Sequence, residues 1–491
     1  MTHVLAIDQG TTGTTCLVVA EDGRVVGRGY REIAQHYPRP GWVEHDPREI
    51  LDRTLDAARA AMAQARVIPD AIGISNQRET VLLWERATGA PVGRAIVWQD
   101  RRTAERCAEL AAESDWFAAR TGLVVDPYFS ATKLEWLLRD RETARRAERG
   151  ELLAGTIDAW LVWCLTGGEV HATDPTNASR TMLFDICEMR WSDELCARFG
   201  VAPGLLPEVR PSAGDFGVTR GELLGREIPI AGIAGDQQAA LFGQGCWAPG
   251  EGKNTYGTGS FILLNTGGTR AAPGGGLLTT VACDAAGRAC YAIEGAIFIA
   301  GAAVQWLRDG LGLIASADET ESLARGIDST DGVYFVPALV GLGAPHWEPN
   351  ARGTIVGLTR GTTRAHLARA ALEAMAYSTA DVLALMRERG GVSFDRLRVD
   401  GGATMNGWLM QFQADVLGVP VERPDMIETT ALGAAGLAGV ARGIWKSAGE
   451  FLATRKFTSW HPGPGRHAAA AGARGWDRAV RAALAWAREG A

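Results

Sequence analysis

Val4-Leu5-Ala6-Ile7-Asp8-Gln9-Gly10-Thr11-Thr12-Gly13-Thr14-Thr15-Cys16-Leu17-Val18-Val19-Ala20 stands at the head of the chain. Two apolar runs, residues 4–7 and 16–20, flank a turn of Gly and Thr, and the first run ends in a carboxylate, Asp8. A second reversal follows at once. Glu21-Asp22-Gly23 separates residues 16–20 from 24–28, and Asp-Gly between apolar runs favours a hairpin. The chain therefore begins as a β-meander. Its first turn can present backbone N–H groups and the hydroxyls of Thr11 and Thr12, beside Gly13, to an anion, and Asp8 can hold a metal ion. The same turn is also an ordinary hairpin connection.

Outward from the meander, a helix is expected from Pro47. Asp46 suits the N-cap, Pro47 the first helical position, and Glu49 would close a capping box ahead of Ile50, Leu51, Leu55 and Ala58. Strands are expected at 71–75 and 80–84, and helical stretches at 101–111 and 131–147. Near residue 245 the composition turns Gly-rich (Gly243, Gly245, Gly250, Gly252), and a new strand-turn-strand spans 254–265. A boundary is placed there, dividing the chain into domains 1–248 and 249–491. Tyr256-Gly257-Thr258-Gly259-Ser260 occupies a place in the second half like that of residues 10–14 in the first, which suggests duplicated architecture. A long amphipathic helix at 363–389 follows, then a strand at 397–399 running into Asp400-Gly401-Gly402, an Ala-rich helix from about residue 430, a Pro, Gly and Ala-rich stretch at 461–475, and a short terminal helix marked by Trp476, Val480 and Leu484. Alternating strands and helices give an α/β protein, and the meander makes its sheets mixed rather than wholly parallel.

Composition narrows the partners. At 491 residues the chain exceeds one ordinary core, since domains run to roughly 100–200 residues. Its 50 basic and 57 acidic side chains leave a net charge of −7, poorly matched to nucleic acid or an anionic lipid surface. Eight cysteines without a CxxC spacing suggest reduced thiols and a cytoplasmic protein. No basic region with an apolar signal segment opens the chain, and its longest apolar stretches fall short of the roughly 18 residues of a membrane span.

Two further segments pair chemistry-bearing side chains. Asn76-Gln77-Arg78-Glu79-Thr80 sets opposite charges side by side between apolar strand segments. A surface ion pair is one reading. The other is a polyol clamp, in which the guanidinium donates to, and the carboxylate accepts from, neighbouring hydroxyls of an uncharged substrate. Asp236-Gln237 follows the apolar run 230–234, where Asp236 is either a helix N-cap or a group that accepts a hydroxyl proton. Asp400-Gly401-Gly402-Ala403 is a third Gly turn, and three such turns suggest one phosphate-rich ligand held between two domains. The Walker pattern is absent, the GxGxxA match at 310–315 follows a helix-like segment rather than a strand, and no HExxH motif supports a zinc hydrolase.

Taken together, residues 8–12, 76–80, Val97-Trp98-Gln99-Asp100-Arg101-Arg102-Thr103, Asp126-Pro127-Tyr128-Phe129-Ser130-Ala131-Thr132-Lys133, 235–244, 295–307 and 397–413 resemble the glycerol-specific members of the FGGY carbohydrate kinases, relatives of actin, hexokinase and the Hsp70 ATPases. The likeness runs from Asp8 to about residue 460. It implies two actin/hexokinase-like (ribonuclease H-like) domains, mixed sheets flanked by helices and an interdomain active site. It implies ATP-dependent phosphorylation of glycerol to sn-glycerol 3-phosphate, with ADP released and Mg²⁺ required, in a cytoplasmic homodimer or homotetramer. Glycerol contacts carried over are Arg78, Glu79, Tyr128, Asp236 and Gln237, with Trp98 and Phe261 as apolar walls. Nucleotide contacts are Thr11, Thr12 and Gly13 in the first turn, then Thr258, Gly301, Gln305, Gly402, Ala403 and Asn406. Asp8 would organise Mg²⁺ through its water shell. Asp236 would take the proton of a terminal hydroxyl as that oxygen attacks the γ-phosphorus in line, and closure of the domains would exclude water.

Two departures accompany the resemblance. Family members commonly carry Thr-Thr-Ser-Ser-Arg in the first loop, where this chain has Thr11-Thr12-Gly13-Thr14-Thr15 and so no basic residue at 15. The 221–229 loop has Gly225-Arg226-Glu227 in place of the Gly-Thr-Arg that binds fructose 1,6-bisphosphate in some bacterial members. Two alternatives stand beside the glycerol reading: a sister kinase of a pentulose or gluconate, and an ATPase of the actin or Hsp70 kind that binds protein.

Overall fold

A computed structural model describes residues 1–272 and 274–489; Pro273, Gly490 and Ala491 lie outside the described residues. The opening stretch forms the strands His3–Gln9 and Gly13–Ala20, and Val25–Glu32 completes the meander. Val4, Leu5, Ala6, Val18, Val19 and Ala20 are fully buried, so both faces of this sheet are covered, which a run of small and branched apolar residues allows. The sheet has five strands in the order Ile230–Gly235, Ala71–Asn76, His3–Gln9, Gly13–Ala20, Val25–Glu32. The first three run parallel and the meander pairs antiparallel.

Two compact units are present. The first comprises Met1–Ala248, Thr279–Ala292 and Thr429–Arg455, and the second Pro249–Leu278, Ile293–Glu428 and Lys456–Ala491. The contiguous division expected at 248/249 is thus crossed by two later segments. The physical reason is packing. The Ala-rich helix Thr429–Ala441 lies on the parallel strands of the first unit. A Cβ on Gly73 would overlap the carbonyl oxygen of Ala434, and one on Gly433 that of Ala239, so backbones touch there without side chains between them. Helix Pro47–Ala65 packs on strands of the meander. Asp46 caps it, accepting from the N–H groups of Arg48 and Glu49, but Glu49 turns to the N–H of Ala34 at 3.3 Å rather than closing the capping box.

In the second unit Gly252–Tyr256 and Ser260–Gly267 form a hairpin, and Leu397–Asp400 joins it in parallel. The first unit has the same element: a hairpin with a parallel strand, Ala71–Asn76, beside its first arm. Within the second unit the sheet runs in the order Ser260–Gly267, Gly252–Tyr256, Leu397–Asp400, Val421–Pro424, Phe457–Trp460. Helices Arg364–Gly390 and Gly407–Leu417 supply much of its core. Two expectations are corrected. The 131–147 stretch is two helices, Ala131–Leu137 and Arg141–Glu148, because Asp140 leaves the helical conformation and caps the second. The terminal helix is long, Arg466–Glu489, since alanine favours helix strongly enough to carry it back through residues 468–471. Among the described residues no helix is long and apolar enough to cross a membrane.

Candidate active site

Three parallel strands of the first unit end side by side. Gln9 pairs with Asn76, and Asn76 with Gly235. The chain leaving each carboxyl end carries the chemistry: Gly10–Gly13 after the first, Gln77-Arg78-Glu79 after the second, and Asp236, the first residue of helix Asp236–Gly243, after the third. Carboxyl ends of parallel strands are where α/β sheets bind ligands. Gly235 takes the N-cap position, while Asp236 accepts from the N–H of Gln237 at 2.7 Å.

Arg78 joins the acidic groups. Its Nε lies 3.0 Å from Asp236 Oδ1 and 3.8 Å from Glu79 Oε1; the Arg78 and Glu79 side chains are 2% exposed, that of Asp236 33%. Arg78 also donates to the Tyr128 hydroxyl at 3.4 Å and to Gln238 Oε1 at 3.4 Å. The surface ion-pair reading of Arg78-Glu79 therefore fails: both are buried. Glu79 has φ of 62°, a left-handed conformation that a non-glycine residue adopts only where surrounding contacts impose it. Ser130 Oγ donates to its carbonyl at 2.9 Å, and the fully buried Arg180 donates from Nε to Glu79 Oε1 at 2.6 Å.

Trp98 joins the polyol residues to the phosphate turn. Its ring meets Tyr128 edge-on, with centroids 5.5 Å apart, and its Nε1 donates to Thr11 Oγ1 at 2.9 Å. The segment around Trp98 is fixed by buried Asp100, which accepts from the N–H of Val43 and, through both oxygens, from Arg102. Arg102 stacks 3.7 Å over Trp42. Behind the turn, Gln35 donates to the Thr11 carbonyl at 2.7 Å and binds His45 Nε2 at 2.8 Å, while Gln77 Nε2 contacts His45 Nδ1 at 3.3 Å. Burial pushes His45 down to about 4. The imidazole is neutral at physiological pH, accepting at Nδ1 and donating at Nε2. Tyr30 comes against the turn from the neighbouring strand: a Cβ on Gly13 would meet its hydroxyl at 2.8 Å and the Arg31 carbonyl at 2.5 Å.

A web of buried polar groups ties two of the strand ends together. Asn76 Nδ2 donates to Asn177 Oδ1 at 3.0 Å and to Asp158 Oδ1 at 3.3 Å; Asp174 caps the turn Pro175–Ala178; Thr176 Oγ1 accepts from the N–H of Gly235 at 2.9 Å. Burial raises Asp158 to about 6 against hydroxyl donation from Thr156 and Thr173. Burial, then the charge of Asp236, raises Asp8 to about 7. Burial lowers Lys133, whose Nζ donates to the Tyr128 carbonyl at 2.9 Å, to about 8 against the pull of Glu79, Asp100 and Asp126.

In the second unit Thr258 is exposed on the turn between Gly252–Tyr256 and Ser260–Gly267, and its carbonyl accepts from the N–H groups of Ala300 and Ala302. Gly301, which opens the helix bearing exposed Gln305, donates to the Gly257 carbonyl. Gly401 has φ of 89°, and a Cβ there would overlap the Tyr256 carbonyl. Gly402 and Ala403 form the next turn. Asn406 caps helix Gly407–Leu417, accepting from the N–H of Leu409 and donating to Thr320 Oγ1 at 3.2 Å. Phe261 is half-buried on strand Ser260–Gly267.

Within the first unit, then, contacts join Thr11, Arg78, Glu79, Trp98, Tyr128 and Asp236; Thr12 and Gly13 share the turn with Thr11; Asp8 feels the charge of Asp236; and Gln237 follows it in sequence. Within the second unit the turn bearing Gly257 and Thr258 meets the 300–302 segment that includes Gly301, and Gly401 comes against Tyr256. Sequence reasoning missed Arg180, Lys133, His45 and the Asp158 web. Among the described residues no group of three or more His, Cys, Asp or Glu side chains could hold a metal by itself.

Two family models, for the N-terminal and C-terminal domains of the FGGY family of carbohydrate kinases, match residues 3–243 and 252–442. The chain is 58% identical to glycerol kinase of Rhodopirellula baltica over 91% of this chain and 84% of that one. It is 54% identical to glycerol kinase of Carboxydothermus hydrogenoformans over 99% and 98% of the two chains. The crystal structure of Plasmodium falciparum glycerol kinase with ADP aligns with a TM-score of 0.93 at 36% identity, covering 99% of this chain and 98% of that one.

Proposed function

We propose that this chain, which belongs to the FGGY family of carbohydrate kinases, transfers the terminal phosphoryl group of ATP to glycerol, giving sn-glycerol 3-phosphate and ADP. The observation that carries the proposal is the joining of a buried donor–acceptor pair, Arg78 and Glu79, to a part-exposed carboxylate, Asp236, beside a Gly and Thr turn tied to it through Trp98. The relatives named glycerol kinase support the choice of substrate.

In the proposed mechanism Arg78, Glu79, Tyr128 and Gln237 hold the hydroxyls of glycerol, with Trp98 and Phe261 against its carbons. Asp236 takes the proton of a terminal hydroxyl as that oxygen bonds to the γ-phosphorus and the bond from phosphorus to the ADP oxygen breaks. Thr11, Thr12 and Gly13 would bind the phosphates, and Thr258, Gly301, Gln305, Gly402, Ala403 and Asn406 the rest of the nucleotide. Asn406 already serves as a helix cap, so its part there is to hold the turn that meets the ligand.

Mg²⁺ would neutralise phosphate charge. The residues fit it: Asp8, pushed up to about 7 by burial and by Asp236, is relieved by a cation, and Mg²⁺ is commonly held by one or two carboxylates with phosphate and water rather than by an all-protein cage. Asp8 would hold it through its water shell. Free thiols at Cys16, Cys107, Cys164, Cys196 and Cys283 suit a cytoplasmic setting. An ADP-release assay over glycerol, pentuloses and gluconate tests the reading: turnover with glycerol far above the others is expected, and preference for a sugar or for no acceptor overturns it.

A further inference from the structure

We propose that Arg180 is a positioning residue of the polyol site: it holds Glu79 in its strained conformation and, by taking up much of that charge, keeps Arg78 directed at Asp236. The inference rests on reading Arg78 and Glu79 as a polyol clamp.

Two guanidinium groups lie near the Glu79 carboxylate, at unequal distance, and the buried Lys133 ammonium also feels its charge. Arg180 Nε is 2.6 Å from Oε1, whereas Arg78 Nε is 3.8 Å from that oxygen and 3.0 Å from Asp236 Oδ1. Glu79 therefore pairs more closely with Arg180 than with Arg78 Nε, and Arg78 Nε more closely with Asp236 than with Glu79. A buried charge is tolerated only when paired. Without Arg180, Arg78 is the guanidinium 3.8 Å from Glu79, with Lys133 also attracted, and drawing Arg78 across removes it from the base.

Arg180 is itself held on several sides. Its guanidinium carbon lies 5.6 Å over the Tyr128 ring and 5.2 Å over that of Phe129. Its N–H donates to the Asn177 carbonyl at 3.0 Å, placing it on the turn anchored by Asp174 and Asn76. The next residue is pinned as well, the Thr181 carbonyl accepting from the N–H of Ala131 at 2.8 Å. One guanidinium thus bonds the Glu79 carboxylate and lies over the ring of Tyr128. A left-handed Glu79, with φ of 62°, persists only where its surroundings over-determine it. The Ser130 hydroxyl fixes its carbonyl and Arg180 its carboxylate.

The test compares Arg180→Gln, Glu79→Gln and the double variant in the full chain, measuring KM for glycerol and for ATP, the pH profile of kcat/KM for glycerol, and thermal melting. Arg180→Gln should raise KM for glycerol about tenfold or more and leave KM for ATP within about twofold. Its acid limb should move to higher pH, because a carboxylate that loses a cation protonates more readily; a residue that only supported the fold would not move it. The double variant should be no worse than Glu79→Gln, since Arg180 acts through Glu79. If Arg180→Gln does not fold, the double variant, which leaves no bare buried charge, decides: parity with Glu79→Gln sustains the proposal, and a further loss of about fivefold overturns it. A folded Arg180→Gln with unchanged KM for glycerol and unchanged pH profile overturns it too. Should Glu79→Gln itself leave KM for glycerol intact, the clamp falls and the role of Arg180 with it, whereas an impaired Glu79→Gln beside an intact Arg180→Gln sinks the latter alone.

Discussion

Replacing Asp236 by Asn removes one charge and almost no volume. The amide can still accept from the N–H of Gln237, the bond that Asp236 Oδ1 makes at 2.7 Å, and can still sit against Arg78. The ion pair at 3.0 Å is lost, but the Asp236 side chain is 33% exposed and Arg78 keeps Glu79 beside it. The structural cost is therefore on the order of 1 kcal/mol, a shift of a few °C in Tm. The chemical cost is larger. A positioned base contributes about 10²- to 10⁴-fold, or about 3–5 kcal/mol of barrier. With ATP and glycerol both saturating, kcat measured by coupled ADP release should fall by that factor, while calorimetry should find ATP affinity within about twofold of the parent. A variant that is folded, binds nucleotide and turns over within about tenfold of the parent would refute the assignment of Asp236 as the base.

Further outcomes follow from the same geometry. Arg78→Ala should raise KM for glycerol with little change for ATP; equal changes in both would sink the clamp. Gly401→Ala places a Cβ on the Tyr256 carbonyl at a φ of 89°, so it should lower stability by about 1–3 kcal/mol and weaken nucleotide binding, and a melting curve matching the parent would contradict this. Lys133 titrates at about 8 in the fold, against 10.5 for the free side chain. Between those values the unfolded chain binds more protons, so the penalty for this buried charge is full below pH 8 and is relieved as pH rises. Denaturant melts from pH 7.5 to 10 should show the parent gaining stability on Lys133→Met with rising pH, by as much as on the order of 3 kcal/mol, and a constant difference would refute the shift. Gly13→Ala should displace Tyr30 and raise KM for ATP, and an unaltered KM would show that the turn tolerates a Cβ.

What sequence conveyed well is what depends on neighbours along the chain. The opening hairpin, Asp8, the Arg78-Glu79 pair and Asp236 are each marked within a few residues by apolar runs, Gly turns and adjacent charges. Contacts closed over long separations left no such mark. Arg180 meets Glu79 across 101 positions, Asn76 meets Asn177 across 101, and Trp98 meets Thr11 across 87. No local pattern distinguishes Arg180 from the many exposed arginines of this chain; only burial between Glu79 and two aromatic rings does. The membership of Thr429–Arg455 in the first unit was equally hidden, because an Ala-rich helix can pack on any Gly-bearing sheet and the chosen one is set by steric fit at Gly73 and Gly433. Asp236 shows the converse: as an N-cap it would have been an ordinary signal, yet Gly235 takes that position and leaves the carboxylate available.

Phosphorus-31 NMR of one reaction mixture, with the full chain, ATP, Mg²⁺ and glycerol, measures the central claim most directly. A monoester resonance of glycerol 3-phosphate, growing in step with ADP and without free phosphate, is the expected result. Inorganic phosphate alone, or ATP left intact with glycerol and consumed only when a sugar replaces it, would contradict the account.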